Sequence, residues 1–427
     1  MIKSIPSIFA HIPKTAGTTF YRIFADHVDS RKIFPYYFPE EKWNLKASDD
    51  FELFFTHMTF MLRSGFFLHQ RFNLFTCLRN PRHLVSSLYN HILREKNEPN
   101  LEFLQKLEGV DWYKRLPDEF SVQKLIEKDF LSPNIQVNWL ANSLGGAASQ
   151  QDFLVIAKIF LNSTKWFGIV ERFDLSYSLL CAVTSWRPVP VLEQENVGSA
   201  MVLADGLEVS IQEHFAEDLE LYHFADKLLE ERAAIFVERF LKSETDFEFS
   251  SEKVISLSEQ LTLIAQYRYA KLKGQEGIEG PSSGVLMAEA PFDGSGWHRR
   301  EYDFKTRPYR WNGAANVCDV DLPCVFSGGG HIFLTLIAWN PEVNFSDIRY
   351  SVNGVECQST SAYVTEEDKT KVIVRIKIPK LPMNALFNFS RLFISDFATQ
   401  KLSSFTGVEG DHRSVGFAFQ DIYYFCA

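Results

Sequence analysis

Ile8-Phe9-Ala10-His11-Ile12-Pro13-Lys14-Thr15-Ala16-Gly17-Thr18-Thr19-Phe20-Tyr21-Arg22-Ile23-Phe24 is the stretch from which the rest of the chain can be read. Its opening apolar run, Ile8, Phe9, Ala10 and Ile12, suits a buried parallel strand. The run breaks at Pro13 and turns through residues 14–19, after which Phe20, Ile23 and Phe24 recur at helical spacing. A strand, a turn of small residues and a helix start together make an anion cradle. The first N–H groups of the helix have no partner within it, and its dipole attracts negative charge. Ala16 and Gly17 permit close backbone approach, Thr18 and Thr19 offer hydroxyls, and Lys14 supplies a point charge.

The order differs from the G-x-x-x-x-G-K-[ST] pattern of NTPases, because the lysine precedes the glycine and follows a proline. A second strand–turn–helix lies downstream. The apolar run Phe72–Leu78 ends in Arg79-Asn80-Pro81-Arg82, and Leu84, Leu88 and Ile92 then repeat at helical spacing. Pro81 fits the first turn of that helix, where its missing N–H costs nothing. An arginine fork at a strand end pairs well with phosphate oxygens, and a hydroxyl further into the helix reaches the same group. Two such loops beyond the carboxyl ends of parallel strands could hold the two ends of one nucleotide.

The order Pro-Lys-Thr-x-Gly-Thr-Thr resembles the loop with which sulfotransferases hold the 5'-phosphosulfate of 3'-phosphoadenosine 5'-phosphosulfate (PAPS). The run from Leu78 to Tyr89 resembles their Arg-Asp-Pro strand end and serine-bearing helix, with Asn80 in place of the commoner Asp. The resemblance covers about residues 5–245 and extends to the carbohydrate 2-O-sulfotransferases. It implies that Lys14, Thr15, Ala16, Gly17, Thr18 and Thr19 hold the 5' end and that Arg79 and Ser87 hold the 3'-phosphate. The run Phe55-Thr56-His57-Met58-Thr59-Phe60 resembles the family's His-Gly-His-Val-Ser-Tyr region, with Phe55 where the first histidine would stand. His57 is therefore the candidate base, and a neutral imidazole suits that task near pH 7. His83, His91 and Glu52 compete for the same role. The implied reaction is in-line sulfuryl transfer from PAPS to an acceptor hydroxyl without a metal ion, with adenosine 3',5'-bisphosphate (PAP) leaving and Lys14 neutralising its charge.

Composition narrows the alternatives. The chain has 427 residues, enough for two domains, and its 39 Phe point to aromatic cores. A net charge of −10 argues against general nucleic-acid binding, which needs a basic face. A local basic set does exist, since Arg63, Arg71, Arg79, Arg82, Arg94 and Lys96 face one acid, Glu95, in that part of the sequence. Met1–Pro6 leads straight into the first strand without a signal-peptide core, and no run reaches the roughly 18 apolar residues of a membrane span. The expectation is a cytoplasmic, bacterial enzyme. Six cysteines without C-x-x-C spacing read as structural thiols, with no zinc site, although Cys318, Cys324, Cys357 and Cys426 fall toward the C-terminal end, where a disulfide stays open.

The expected fold is α/β, a P-loop-like parallel sheet flanked by helices over residues 1–245. A helical segment and linker, 246–285, precede an all-β sandwich of jelly-roll type over 286–427. Asn134–Leu140 reads as a helix with polar residues exposed, and it also resembles a segment of bacterial family members with polar residues near the acceptor cleft. Trp166–Asp174 resembles the family's Gly-x-x-Glu-Arg-Phe strand. Glu195-Asn196-Val197 resembles its loop near the nucleotide, and Asp218–Leu241 is an amphipathic helix. Beyond the linker the period changes to two: His331–Trp339, Ile348–Val355, Lys371–Ile378 and Arg391–Asp396 read as strands, with Asn353-Gly354 a hairpin turn. Trp297, Trp311 and Tyr309 are candidates for sugar stacking, against a reading as core aromatics. The acceptor implied is a carbohydrate, with a lipid or secondary-metabolite hydroxyl as the alternative. Two other readings stay open: a small-molecule kinase using the same cradle with a metal, and a glycan-binding protein that has lost activity.

Overall fold

The computed structural model describes residues 5–29, 32–34, 51–56, 72–97, 121–127, 131–143, 152–189, 205–249, 255–275, 282–289, 291–302, 307–313, 315–366, 369–381, 389–406, 411 and 413–427. They fall into two compact units. The first takes Met1–Tyr21, Arg31–Leu180 and Glu195–Leu261, and the second takes Arg22–Ser30, Cys181–Gln194 and Thr262–Ala427.

The first unit is built on five parallel strands: β1 (Ser7–Ala10), β2 (Ile33–Phe34), β3 (Leu53–Thr56), β4 (Asn73–Leu78) and β5 (Trp166–Ile169). Their order across the sheet is β2-β3-β1-β4-β5. In register, Ala10 stands between Thr56 and Thr76, so β1, β3 and β4 point their carboxyl ends the same way. Residues of these strands are apolar almost throughout, as a parallel sheet covered on its faces requires. Phe9 stacks on Phe55 at 4.5 Å between ring centroids, and Phe20 meets Trp166 at 5.1 Å. Burying such rings is the main driving force here, at about 1.5–3 kcal/mol for each large apolar side chain.

Parallel strands need crossover connections, and helices supply them. Helix α1 (Gly17–His27) follows β1, and α2 (Pro81–Asn97) follows β4 with Pro81 as its first residue. Asn80 caps α2, its Oδ1 accepting from Arg82 N at 3.0 Å. Next come α3 (Val122–Glu127), α4 (Ile135–Ser143) and α5 (Phe153–Ser163). After β5 follow α6 (Phe173–Thr184), α7 (Asp205–His214), α8 (Ala216–Ser243) and α9 (Leu257–Gln275). The amphipathic stretch read over 218–241 is thus one helix of 28 residues that buries Leu221, Ala225, Leu229, Ala233 and Phe240.

The second unit carries β6 (Ser283–Met287), β7 (Gly294–Ser295), β8 (Trp297–Tyr302), β9 (Pro308–Asn312), β10 (Val317–Leu322) and β11 (Gly330–Trp339). It continues with β12 (Arg349–Val352), β13 (Val355–Glu366), β14 (Lys369–Ile378), β15 (Ser390–Ser395), β16 (Gln400–Lys401), β17 (Ser414–Val415) and β18 (Phe417–Cys426). All but β16 and β17 join one antiparallel sheet of 11 strands, in the order β7-β10-β15-β12-β13-β14-β11-β18-β9-β8, with β6 beside β18. The expected jelly-roll sandwich is therefore corrected. The long β13 pairs with β12 through Val355–Cys357 and with β14 through Gln358–Glu366, carrying one ladder around a bend. The sheet's two end strands, β7 and β8, are neighbours in sequence, and the result is a nearly closed barrel.

Alternation sets its interior. Val372, Val374, Ile376 and Ile378 are all buried in one core with Leu334, Tyr350, Leu392 and Phe419. Asn353 and Gly354 have φ of 51° and 80°, the two positive values that a tight hairpin of this hand requires. Trp297 and Trp311 are buried, 9% and 5% exposed, so the core reading of these rings holds and neither offers a face to a sugar. A charged cluster sits in the same unit. Arg391 grips Asp321 through two bonds of 2.6 and 2.9 Å, Tyr269 donates to Asp321 Oδ2 at 2.8 Å, and Arg187 lies 2.6 Å from Asp319. All six cysteines are free thiols.

Candidate functional site

The chain leaves β1 toward β2 on one side of the sheet and leaves β4 toward β5 on the other. β1 and β4 are adjacent, so their connections diverge and a crevice opens beyond their carboxyl ends. Ligands of open parallel sheets sit at such a switch point. The two loops singled out in the sequence, after Ala10 and after Leu78, are the loops at this place.

The first loop is coiled by its backbone. Lys14 and Ala16 have φ of 66° and 59°, and neither is a glycine. Such left-handed residues cost about 1–3 kcal/mol and persist where the surroundings hold them. Between them Thr15, fully buried, donates its hydroxyl to Ile12 O at 2.8 Å. Alternation of hand over successive residues turns their N–H groups inward, the form of an anion-binding nest. The first helical bond runs from Phe20 N to Ala16 O at 3.1 Å, so the N–H groups of Gly17, Thr18 and Thr19 precede the ladder. Gly17 is required by packing: a Cβ there would lie 1.6 Å from Nε2 of His11, whose ring is buried against the loop. Thr18 is exposed and Lys14 half-buried.

The second loop is tied to the first. Arg79 Nη1 donates to Lys14 O at 3.0 Å, across the two strand ends. Arg79 Nε is a buried donor with no hydrogen-bond partner. Burial draws this arginine's pKa down and Glu171 opposes the shift, while the guanidinium keeps its charge. An orphaned, buried, cationic donor beside helix N–H groups fits a phosphate-like oxygen. Ser87 lies on α2, half-buried.

Arg79 is held from behind by residues the sequence reading did not select. Gln136, 1% exposed on α4, accepts from Arg79 N through Oε1 and donates to Arg79 O through Nε2, both at 2.9 Å. The exposed polar face expected for Asn134–Leu140 is corrected at this position: the amide is buried because it satisfies one residue's whole backbone. The start of α4 is in turn capped by Asp218, whose carboxylate accepts from Val137 N at 2.8 Å and Gln136 N at 3.1 Å. Asn134 returns the favour to α8, its Oδ1 accepting from Glu217 N at 3.1 Å. Burial lifts the Asp218 carboxyl to about 7, against the pull of those amides. The only hint in the sequence was a polar pair, Asn134 and Gln136, opening a helix.

Glu171 closes the far side of the Arg79 loop. Its Oε2 accepts from Asn80 N at 3.0 Å and its Oε1 from His83 Nδ1 at 2.8 Å. Its neighbour Arg172 pairs with Asp226 at 2.9 Å. No protein-family model matches the chain. No curated protein matches it either. The case for a function therefore rests on the residues themselves.

Among the competing bases, Glu52 precedes β3, at the opposite end of the strands from the crevice, and pairs with Lys32. His57 lies outside the described residues, as do Arg63, Arg71 and the loop 195–197. Among the described residues, no group of three or more His, Cys, Asp or Glu is placed to hold a metal ion, and no helix is long and apolar enough to cross a membrane.

Proposed function

We propose that this chain is a PAPS-dependent O-sulfotransferase that acts on a carbohydrate hydroxyl, with its parallel sheet read as P-loop-like. The observation that carries the reading is the bond from Arg79 to Lys14 O at the β1/β4 switch point, with Arg79 Nε still unsatisfied beside it. A nucleotide with a phosphate at each end needs two anion grips a short way apart, and these two loops are coupled to serve as such.

The residues then divide the work. Backbone N–H groups over Thr15–Thr19 clamp the 5' end, and Lys14 neutralises charge that develops on the leaving phosphate oxygen. Arg79 and Ser87 hold the 3'-phosphate, with Gln136 fixing the Arg79 backbone. PAPS would supply the sulfuryl group, and PAP would leave with the electron pair of the broken S–O bond on its phosphate oxygen. His57 is the proposed base, accepting the acceptor's proton as the new O–S bond forms. Most of the rate enhancement comes from orientation and placed charge. Transfer of labelled sulfate from PAPS to a panel of polysaccharides, without added divalent metal, tests the reading. Transfer lost in Lys14→Ala supports it. A full rate in that variant, or transfer of phosphate from ATP instead, overturns it.

A further inference from the structure

One outer face of the β unit has a composition that the core does not explain. In register across five strands, Val285 of β6, Tyr423 of β18, Phe333 of β11, Arg375 of β14 and Thr360 of β13 form one row. The next row runs Ser283, Phe425, His331, Lys377 and Gln358. Their sequence neighbours Ile332, Val374, Ile376 and Tyr424 point into the core, so these two rows point out. Tyr423 and Phe425 are 44% and 47% exposed, with Val285 at 46% beside them. Scattered exposed apolar residues are ordinary, but adjacent ones on a single face mark a contact surface.

The same face is basic. β14 sends Lys371, Arg375 and Lys377 outward between its buried Val372, Val374 and Ile376, while Asp421 of β18 and exposed Glu356 of β13 are acids on the same side. Burial raises the Asp421 pKa, with Thr335 and Lys371 pulling the other way. Arg375 lies 6.0 Å from the Phe333 ring and donates to His331 Nε2 at 3.2 Å, which holds its charge at the edge of the aromatic patch. Aromatic rings on β18 and β11 thus lie beside a stripe of cations on β14, on strands spaced about 4.8 Å apart. Exposed Gln358, Thr360 and Ser283 add hydroxyl and amide groups at the margins.

We infer that this face binds an anionic polysaccharide: rings pack on sugar C–H faces, and the β14 cations pair with carboxylate or sulfate groups. A second copy of the chain fits less well, because face-to-face pairing would bring the two β14 stripes together. A nucleic acid fits less well too. Duplex DNA carries about one charge per 1.7 Å and calls for a broad basic surface, whereas this chain has a net charge of −10. A polysaccharide with sparser charge needs only a short stripe. The inference stands on the β unit and is independent of the nucleotide site.

The test is binding of the full chain to immobilised alginate and chondroitin sulfate, with dextran, a DNA duplex and anionic vesicles as further arms. Wild type should bind an acidic glycan in preference to dextran, more weakly as salt rises. Tyr423→Ala/Phe425→Ala and Arg375→Gln/Lys377→Gln should each weaken binding by about tenfold or more, about 1.4 kcal/mol, with thermal melting and nucleotide binding unchanged. The inference is overturned by equal binding to dextran, by preference for DNA or vesicles, by binding that neither variant weakens, or by no glycan binding. Self-association removed by Tyr423→Ala/Phe425→Ala would overturn it in favour of a second copy.

Discussion

Arg79 and Gln136 form the pair on which the candidate site turns. A buried side-chain amide that satisfies both backbone groups of one residue leaves that residue little freedom, and Arg79 is thereby aimed at Lys14. Gln136→Ala leaves two backbone groups unsatisfied, a cost of about 1–3 kcal/mol each if they stay dry. PAP affinity measured by calorimetry should fall about tenfold in this variant. In Arg79→Ala/Gln136→Ala the losses should be less than additive, because one residue acts through the other. Lys14→Ala should lower turnover by about 10²–10³-fold in a protein that still folds. The sequence showed Arg79, Lys14 and Gly17 plainly, since each carries its chemistry in its residue type. Gln136 and His11 were hidden because their importance lies in what they touch after folding, and no local pattern marks that.

At the scale of elements, α4 and α8 cap each other through Asp218 and Asn134, and the cap makes stability depend on pH. The folded carboxyl titrates at about 7, against about 3.9 in an unfolded chain. Between those values the folded state holds the proton more tightly. The Asp218 contribution is therefore greatest at low pH, declines as pH rises toward 7 and is flat above it. Urea denaturation at pH 5 and pH 8 should show a smaller difference in Asp218→Asn than in wild type. In the β unit, Asp321 is 3% exposed in its side chain and answers to Arg391 and Arg187. Asp321→Ala strands Arg391, leaves Arg187 to Asp319 and should cost about 3–5 kcal/mol by the same measurement. Helices and strands were legible wherever a period ran long enough, as in α8 and β14. Their assembly was not: the hairpin at Asn353-Gly354 between β12 and β13 could be read, but no alternation says that β13 bends from one partner to another.

At the scale of the whole molecule, the chain joins a parallel α/β unit to a nearly closed antiparallel barrel and carries a net charge of −10. Class and order of the two parts followed from the change of period near residue 284, where helical spacing gives way to alternation. Closure of the barrel did not, since it depends on which edges meet. The central claim is that one crevice grips both ends of a single nucleotide. Titration of PAP into wild type, Lys14→Ala and Arg79→Ala, without divalent metal, tests it most directly. The account predicts saturable binding to wild type, weakened about tenfold or more in each variant. No binding to wild type, or equal binding by all three proteins, would contradict it.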